Sequence, residues 1–176
     1  KERTYVTGSP MAEVLHANLR DIESSDIHAR LGLEKGKYLL LSAHREENID
    51  TEKNFLSLFT AINAMAKKYD MPILYSCHPR SRKRLEQSGF ELDRRGIQHE
   101  PLGFHDYNCL QMNAYAVISD SGTLPEESSF FTSIGYVFPA VCIRTSTERP
   151  EALDKGGFIL AGIDEKSLLQ AVETAV

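Results

Sequence analysis

Short apolar runs alternate along this chain with stretches of helical periodicity, and that alternation constrains the fold more than any other feature. The runs are Tyr38-Leu39-Leu40-Leu41, Ile73 to Cys77, Ile97 to His99, Ala114 to Ser119, Ala140 to Arg144 and Phe158 to Ala161. Each is short and bounded by turn residues, as a strand buried on both faces should be. Between the first two, Thr51 to Tyr69 sets Phe55, Leu58, Phe59, Ile62, Met65, Ala66 and Tyr69 on one helical stripe, with Thr51 as N-cap. Pro79 opens a basic helix, Ser81 to Gln87, that stops before Gly89. Further helices are expected over Tyr107 to Asn113 and from Leu124 towards Thr132. Asp164 caps the last one, which puts Leu168, Leu169, Val172 and Val176 on one face. Parallel neighbours need crossover connections, and crossovers of one hand cover both sides of the sheet. The expected fold is therefore α/β: a Rossmann-like, doubly wound, mostly parallel sheet with helices on both faces.

Length and composition fit that reading. The 176 residues suffice for one core, and 41% hydrophobic with 26% charged residues is a globular balance. Twenty Lys+Arg against 25 Asp+Glu give a net charge of -5, which disfavours a nucleic-acid partner. No apolar run approaches the roughly 20 residues of a membrane span, so no membrane partner is expected. Lys1-Glu2-Arg3 does not open a signal peptide, and Cys77, Cys109 and Cys142 are scattered and odd in number, so the expected compartment is the reducing cytoplasm. Two helical stretches, from Gly8-Ser9-Pro10 to about Leu19 and from Asp26 to Leu31, precede the first strand. Residues 1–36 thus read as a helical lead-in from something upstream, and 37–176 as the Rossmann-like domain.

Ligands of such sheets sit at the carboxyl ends of the strands. The polar residues there are His44-Arg45-Glu46-Glu47-Asn48, His78-Pro79-Arg80, Asp120-Ser121-Gly122 and Thr145 to Arg149. Ser119-Asp120-Ser121-Gly122-Thr123 joins a strand to a helix, so it is either a plain N-cap or a cradle that aims free backbone N–H groups at a phosphate. Glu126-Glu127, one turn on, either offsets the helix dipole or reaches ribose hydroxyls. His44 can donate to a phosphate oxygen or shuttle a proton, and Arg45 can pair with phosphate or orient Glu47. His78 and the basic residues after it form either a solvated helix face or an anion site. Arg149 beside a helix start suits a diphosphate, and Tyr107 is either a core aromatic or a platform for a base. Walker lysine and GxGxxG are both absent, which excludes an ATPase or an NAD site of those types. No Cys/His spacing matches a zinc site, so no metal is expected.

The ordered set His44-Arg45-Glu46-Glu47-Asn48, His78-Pro79, Glu100-Pro101-Leu102, Ser119-Asp120-Ser121-Gly122, Glu126-Glu127 and Thr147-Glu148-Arg149-Pro150-Glu151 closely resembles the non-hydrolysing UDP-N-acetylglucosamine 2-epimerases. It runs from about Val6-Thr7-Gly8 to the end and matches that family's carboxyl-terminal half. The resemblance implies one lobe of a two-lobe enzyme in the arrangement of GT-B glycosyltransferases, with a UDP-sugar in the cleft. It implies an amino-terminal lobe as intramolecular partner, a homodimer at full length, and no redox cofactor. By position, His44 matches the active-site histidine near the departing UDP, while Leu102 and Tyr107 match positions around the uracil. Ser121, Gly122 and Thr123 match the diphosphate turn, Glu127 the ribose carboxylate, and Arg149 the arginine that completes the nucleotide site. Arg45 and His78 match positions that help bind a second, allosteric UDP-sugar in some bacterial relatives.

Four departures stand out: Glu46 where the family usually has a second arginine, Thr123 for the second glycine of the turn, Pro125 for the glutamine before the two glutamates, and a stretch from Phe130 to Pro139 that is longer than usual before the fifth strand. They resemble the subgroup that makes UDP-N-acetyl-L-fucosamine for capsule and O-antigen. The chemistry implied is epimerisation at C2, in which UDP is eliminated across C1–C2 and then added back with the proton on the opposite face. The acid–base carboxylates belong mainly to the amino-terminal lobe, so this half would hold the leaving UDP. A GT-B glycosyltransferase lobe and a non-catalytic nucleotide-sugar-binding module share these features and are the alternatives.

Overall fold

A computed structural model describes residues 10–43, 52–77, 79–98, 102–120, 124–136, 138–143, 158–161 and 165–175. Two helices come first, α1 (Pro10–Glu23) and α2 (Ile27–Leu31). There follow β1 (Leu39–Ala43), α3 (Glu52–Tyr69), β2 (Ile73–Cys77), α4 (Pro79–Ser88), β3 (Gly96–Gln98), α5 (Phe104–Asn113), β4 (Ala116–Ser119), α6 (Leu124–Ser133), β5 (Ala140–Ile143), β6 (Phe158–Ala161) and α7 (Glu165–Ala175). The strands form one sheet in the order β3-β2-β1-β4-β5-β6, and every pairing is parallel. Strand order reverses between β1 and β4, the position of the topological switch in a doubly wound sheet.

The pleat sorts the apolar runs into two cores, because successive side chains point to opposite faces. Leu39, Leu41, Ala43, Ile73, Tyr75, Ile118, Val141 and Ile143 meet α3, through Phe55, Phe59 and Ile62, and α7, through Ala171 and Val172. Tyr38, Leu40, Leu74, Val117, Ala140 and Cys142 meet Leu15 and Ile22 of α1, Ile27 of α2, Leu110 of α5, and Leu124 and Phe131 of α6. The lead-in helices are thus packed onto the sheet.

Several boundaries differ from the sequence expectations for identifiable reasons. Helix α1 runs one turn beyond Leu19. Helix α5 begins a turn before Tyr107, because extended Gly103 accepts the Tyr107 N–H at 2.9 Å. Strand β4 starts at Ala116 rather than Ala114, since Ala114 caps α5 and returns its N–H to the Gln111 carbonyl. Asp26 takes the N-cap position of α2 without a side-chain capping bond, and Gly32 ends that helix at φ 69, a left-handed conformation that favours glycine. Thr51, His99, Arg144, Asp164 and Val176 lie outside the described residues.

A buried polar chain ties α2, β1 and α5 together where the chain enters the sheet. The Tyr38 hydroxyl gives its one proton to the Leu110 carbonyl at 2.6 Å, so His28 Nε2, 2.9 Å away, donates to Tyr38. That tautomer leaves Nδ1 bare, facing Cys109 Sγ at 3.8 Å. Burial, with Lys35 adding to it, lowers the His28 pKa below its ordinary 6.5.

Two outcomes follow from this packing. Phe59 packs on Phe55 at a tilt, ring centroids 4.8 Å apart, and meets Tyr75 edge-on at 5.5 Å, so Phe59→Ala should cost about 3–5 kcal/mol, read as a lower urea midpoint; a loss under about 1 kcal/mol contradicts this. The unfolded chain protonates His28 before the folded one does, so stability falls as pH drops below 6.5 towards the depressed native value. His28→Gln should flatten that acid limb in urea titrations between about pH 7 and 5, and an unchanged slope contradicts the assignment.

Candidate functional site

The site grows from the last pleat of the two central strands. Ser42 of β1 pairs in register with Ser119 of β4, and the Asp120 N–H donates to the Ser42 carbonyl at 3.1 Å. Leu40 and Val117 face the second core, and the period of two puts Ser42 and Ser119 on that same face, under α5 and α6. Two small hydroxyls therefore end an otherwise apolar pair of strands. Both are buried, as are Asp120, Glu127 and Ser128.

Tyr107 reaches this pleat from the first turn of α5, its hydroxyl 2.9 Å from Ser42 Oγ. Ser119 offers the phenol a second hydroxyl, and the Asp120 and Glu127 carboxylates are close enough to act on it electrostatically. Burial, with those carboxylates adding to it, pushes the phenol up to about 12 against the pull of the two serines. Glu126 and Glu127 lie in the first turn of α6, where the positive end of the helix dipole favours carboxylates. Leu102, half-buried, packs against the same core as Tyr107.

At the switch point, α3 leaves β1 for one face of the sheet and α6 leaves β4 for the other, so the crossovers diverge above this cluster. The cluster combines hydroxyls and carboxylates, groups that hold sugar hydroxyls and order the roots of flanking loops. Among the described residues no group of three or more His, Cys, Asp or Glu side chains is placed to hold a metal ion. Nor is any helix among them long and apolar enough to cross a membrane. Cys109 and Cys142 are free and buried, as small core residues.

Of the site residues expected from sequence, Leu102, Tyr107 and Glu127 are brought to the carboxyl-end side of the sheet. Tyr107 arrives with its hydroxyl engaged below, whichever role its ring takes. His44, Arg45, Glu46, Glu47, Asn48, His78, Ser121, Gly122, Thr123 and Arg149 lie outside the described residues. Chain connectivity alone sets His44 immediately after Ala43 of β1, His78 after Cys77 of β2, and Ser121 after Asp120. Sequence reasoning missed Ser42; its signal was a lone hydroxyl within the apolar Leu39–Ala43 strand.

The sequence model of the family described as UDP-N-acetylglucosamine 2-epimerase matches residues 1–176. The UDP-N-acetylglucosamine 2-epimerase of Methanococcus maripaludis is 33% identical over 180 residues, which covers 98% of this chain and 48% of that protein. The structure of UDP-N-acetylglucosamine 2-epimerase from Rickettsia bellii is similar with a TM-score of 0.82 and 38% identity, over 96% of this chain and 43% of that one. The Methanocaldococcus jannaschii UDP-GlcNAc 2-epimerase, solved in complex with UDP-GlcNAc and UDP, gives 0.80 and 29% over 97% and 47%. The chain thus spans about half the length of the relatives it matches.

The raised Tyr107 phenol makes an alkaline prediction. The unfolded chain loses this proton near the ordinary 10 while the folded one keeps it to about 12, so the stabilisation is intact below pH 10 and lost as pH rises through 12. Tyr107→Phe should flatten the alkaline fall in stability and remove one late-ionising phenolate from the absorbance titration. An unchanged late phase contradicts the burial of this hydroxyl.

Proposed function

The chain belongs to the UDP-N-acetylglucosamine 2-epimerase family, and from that premise we propose that it is the carboxyl-terminal, UDP-binding half of a UDP-N-acetylhexosamine 2-epimerase. The observation that carries the proposal is the meeting of Ser42, Tyr107, Ser119, Asp120 and Glu127 at the carboxyl ends of β1 and β4, the position where sheets of this topology bind nucleotides. The complex of the Methanocaldococcus jannaschii relative with UDP-GlcNAc and UDP supports it.

In this reading Glu127 accepts hydrogen bonds from the ribose hydroxyls, and Leu102 and Tyr107 flank the uracil. Ser121, Gly122 and Thr123 hold the diphosphate, and Arg149 completes its charge balance. His44 is the catalytic residue of this half, next to the phosphate that departs. Arg45, Glu47 and His78 support it or hold a second UDP-sugar.

The C2 proton of an N-acetylhexosamine is not acidic, so the barrier is lowered by elimination. The C1–O bond to UDP breaks, the C2 proton leaves to a base, and a C1–C2 double bond forms. UDP then re-adds at C1 while a proton enters C2 from the other face, and the sum is an isomerisation. Donors aimed at the diphosphate stabilise the leaving charge and keep UDP in place for its return. The acid–base groups for C2 belong to the other half of the enzyme, which is its intramolecular partner, and the full-length enzyme is a homodimer.

Glu46, Thr123 and Pro125 narrow the substrate towards UDP-N-acetyl-L-fucosamine and its 2-epimer, in the synthesis of capsule and cell-envelope precursors. The free, buried Cys109 and Cys142 support a cytoplasmic setting.

Calorimetry should find weak UDP binding by the 176-residue chain, weakened about tenfold or more by Glu127→Ala through loss of charge-assisted bonds. In D2O the chain alone should leave C2 of UDP-N-acetylhexosamines protonated, whereas the protein with both halves should introduce deuterium there with inversion. No UDP binding refutes the proposal. Turnover by the chain alone refutes the division of labour.

A further inference from the structure

We infer that the Tyr107 hydroxyl is a positioning group that ties the ends of β1 and β4 together at the base of the proposed nucleotide site. The inference rests on the proposed nucleotide site and goes beyond it, because it assigns the hydroxyl a task separate from the ring.

Three observations carry it. The hydroxyl lies 2.9 Å from Ser42 Oγ and also bonds Ser119, so one oxygen joins two strands from a third element, α5. Ser42 and Ser119 are register partners, and the Asp120 N–H to Ser42 carbonyl bond at 3.1 Å is the last backbone link of this strand pair among the described residues. Two residues beyond Ser42 stands His44, and two beyond Ser119 stands Ser121. The tie therefore sits at the root of both segments assigned to the diphosphate.

The chemistry suits a fixed hub. Three hydroxyls bring three protons, and the nearby Asp120 and Glu127 supply acceptors but none. A buried phenol next to two carboxylates stays protonated, so its oxygen can donate one hydrogen bond and accept others, and in the pair with Ser42 either oxygen can be the donor. Phenylalanine at this position would keep the ring and lose only the tie. The Tyr107→Phe change thus separates base packing from strand positioning.

The test compares Tyr107→Phe, Ser42→Ala, their double variant and Ser42→Thr by amide hydrogen exchange and by calorimetry with UDP as the probe. Exchange at Asp120 should accelerate about tenfold in Tyr107→Phe and Ser42→Ala. The Tyr115 amide, bonded to the Tyr38 carbonyl at 2.8 Å at the other end of the same pairing, should keep its rate. The UDP Kd should rise about fivefold in either variant, no further in the double, and stay near the parent value in Ser42→Thr. Unchanged Asp120 exchange overturns the inference. Equal acceleration at Asp120 and Tyr115 reduces Tyr107 to general stability, and additive losses in UDP affinity break the link to Ser42. A parent chain that does not bind UDP overturns the functional reading. In that event Asp120 exchange still decides whether the hydroxyls hold the strand ends.

Discussion

Parallel strands cannot be closed by a tight turn, so each pairing in this sheet commits the chain to a crossover that must lie on one face or the other. The pairing of β1 with β4 governs the rest. From it the connections run outwards, through α3 towards β2 and through α6 towards β5, on opposite faces. The sheet is thereby buried on both sides, which demands continuous apolar strands, and a gap is left between diverging connections at the carboxyl ends. Ser42 and Ser119 stand beside that gap, where Tyr107 gives the Ser42 hydroxyl a partner.

Helix α5 makes this economy visible. Its Leu110 carbonyl accepts the Tyr38 hydroxyl where the chain enters β1, and its Tyr107 hydroxyl meets Ser42 near the end of the same strand. The Tyr38 and Tyr107 oxygens both have partners, as burial requires, and together they clamp α5 along the length of β1. The first clamp recruits His28 and anchors the lead-in helices. The second stands below the candidate nucleotide site. One helix thus couples the placement of α1 and α2 to the geometry of the functional rim.

Much of this was legible in the residues. Ile73 to Cys77 and Phe158 to Ala161 occupy the bounds their apolar runs suggested, and the stripe from Phe55 to Tyr69 faces the sheet as its spacing implied. Legibility failed where tertiary bonds override local pattern. Ala114 reads as strand and serves as a helix cap; Tyr107 reads as a helix start and sits a turn inside. Ser42 was hidden because a buried strand gives no hint of which small polar residue will find a partner sixty-five positions away. The family was recognisable from the motifs taken as a set, and its sequence model matches the whole chain. Only Leu102, Tyr107 and Glu127 among the nominated residues fall within the described part, and those three lie towards the same rim.

The central claim is that the nucleotide sits over the β1–β4 switch rather than at the opposite rim, where Lys35, Gly36, Met112, Tyr115 and Pro139 line an open, mostly apolar groove. Amide chemical-shift mapping of the chain titrated with UDP separates the two most directly. The account predicts saturable shifts at Ser42, Leu102, Tyr107, Asp120 and Glu127, with Lys35, Met112 and Tyr115 unmoved. Shifts confined to the Lys35–Tyr115 groove, or spread without saturation over both rims, would contradict it.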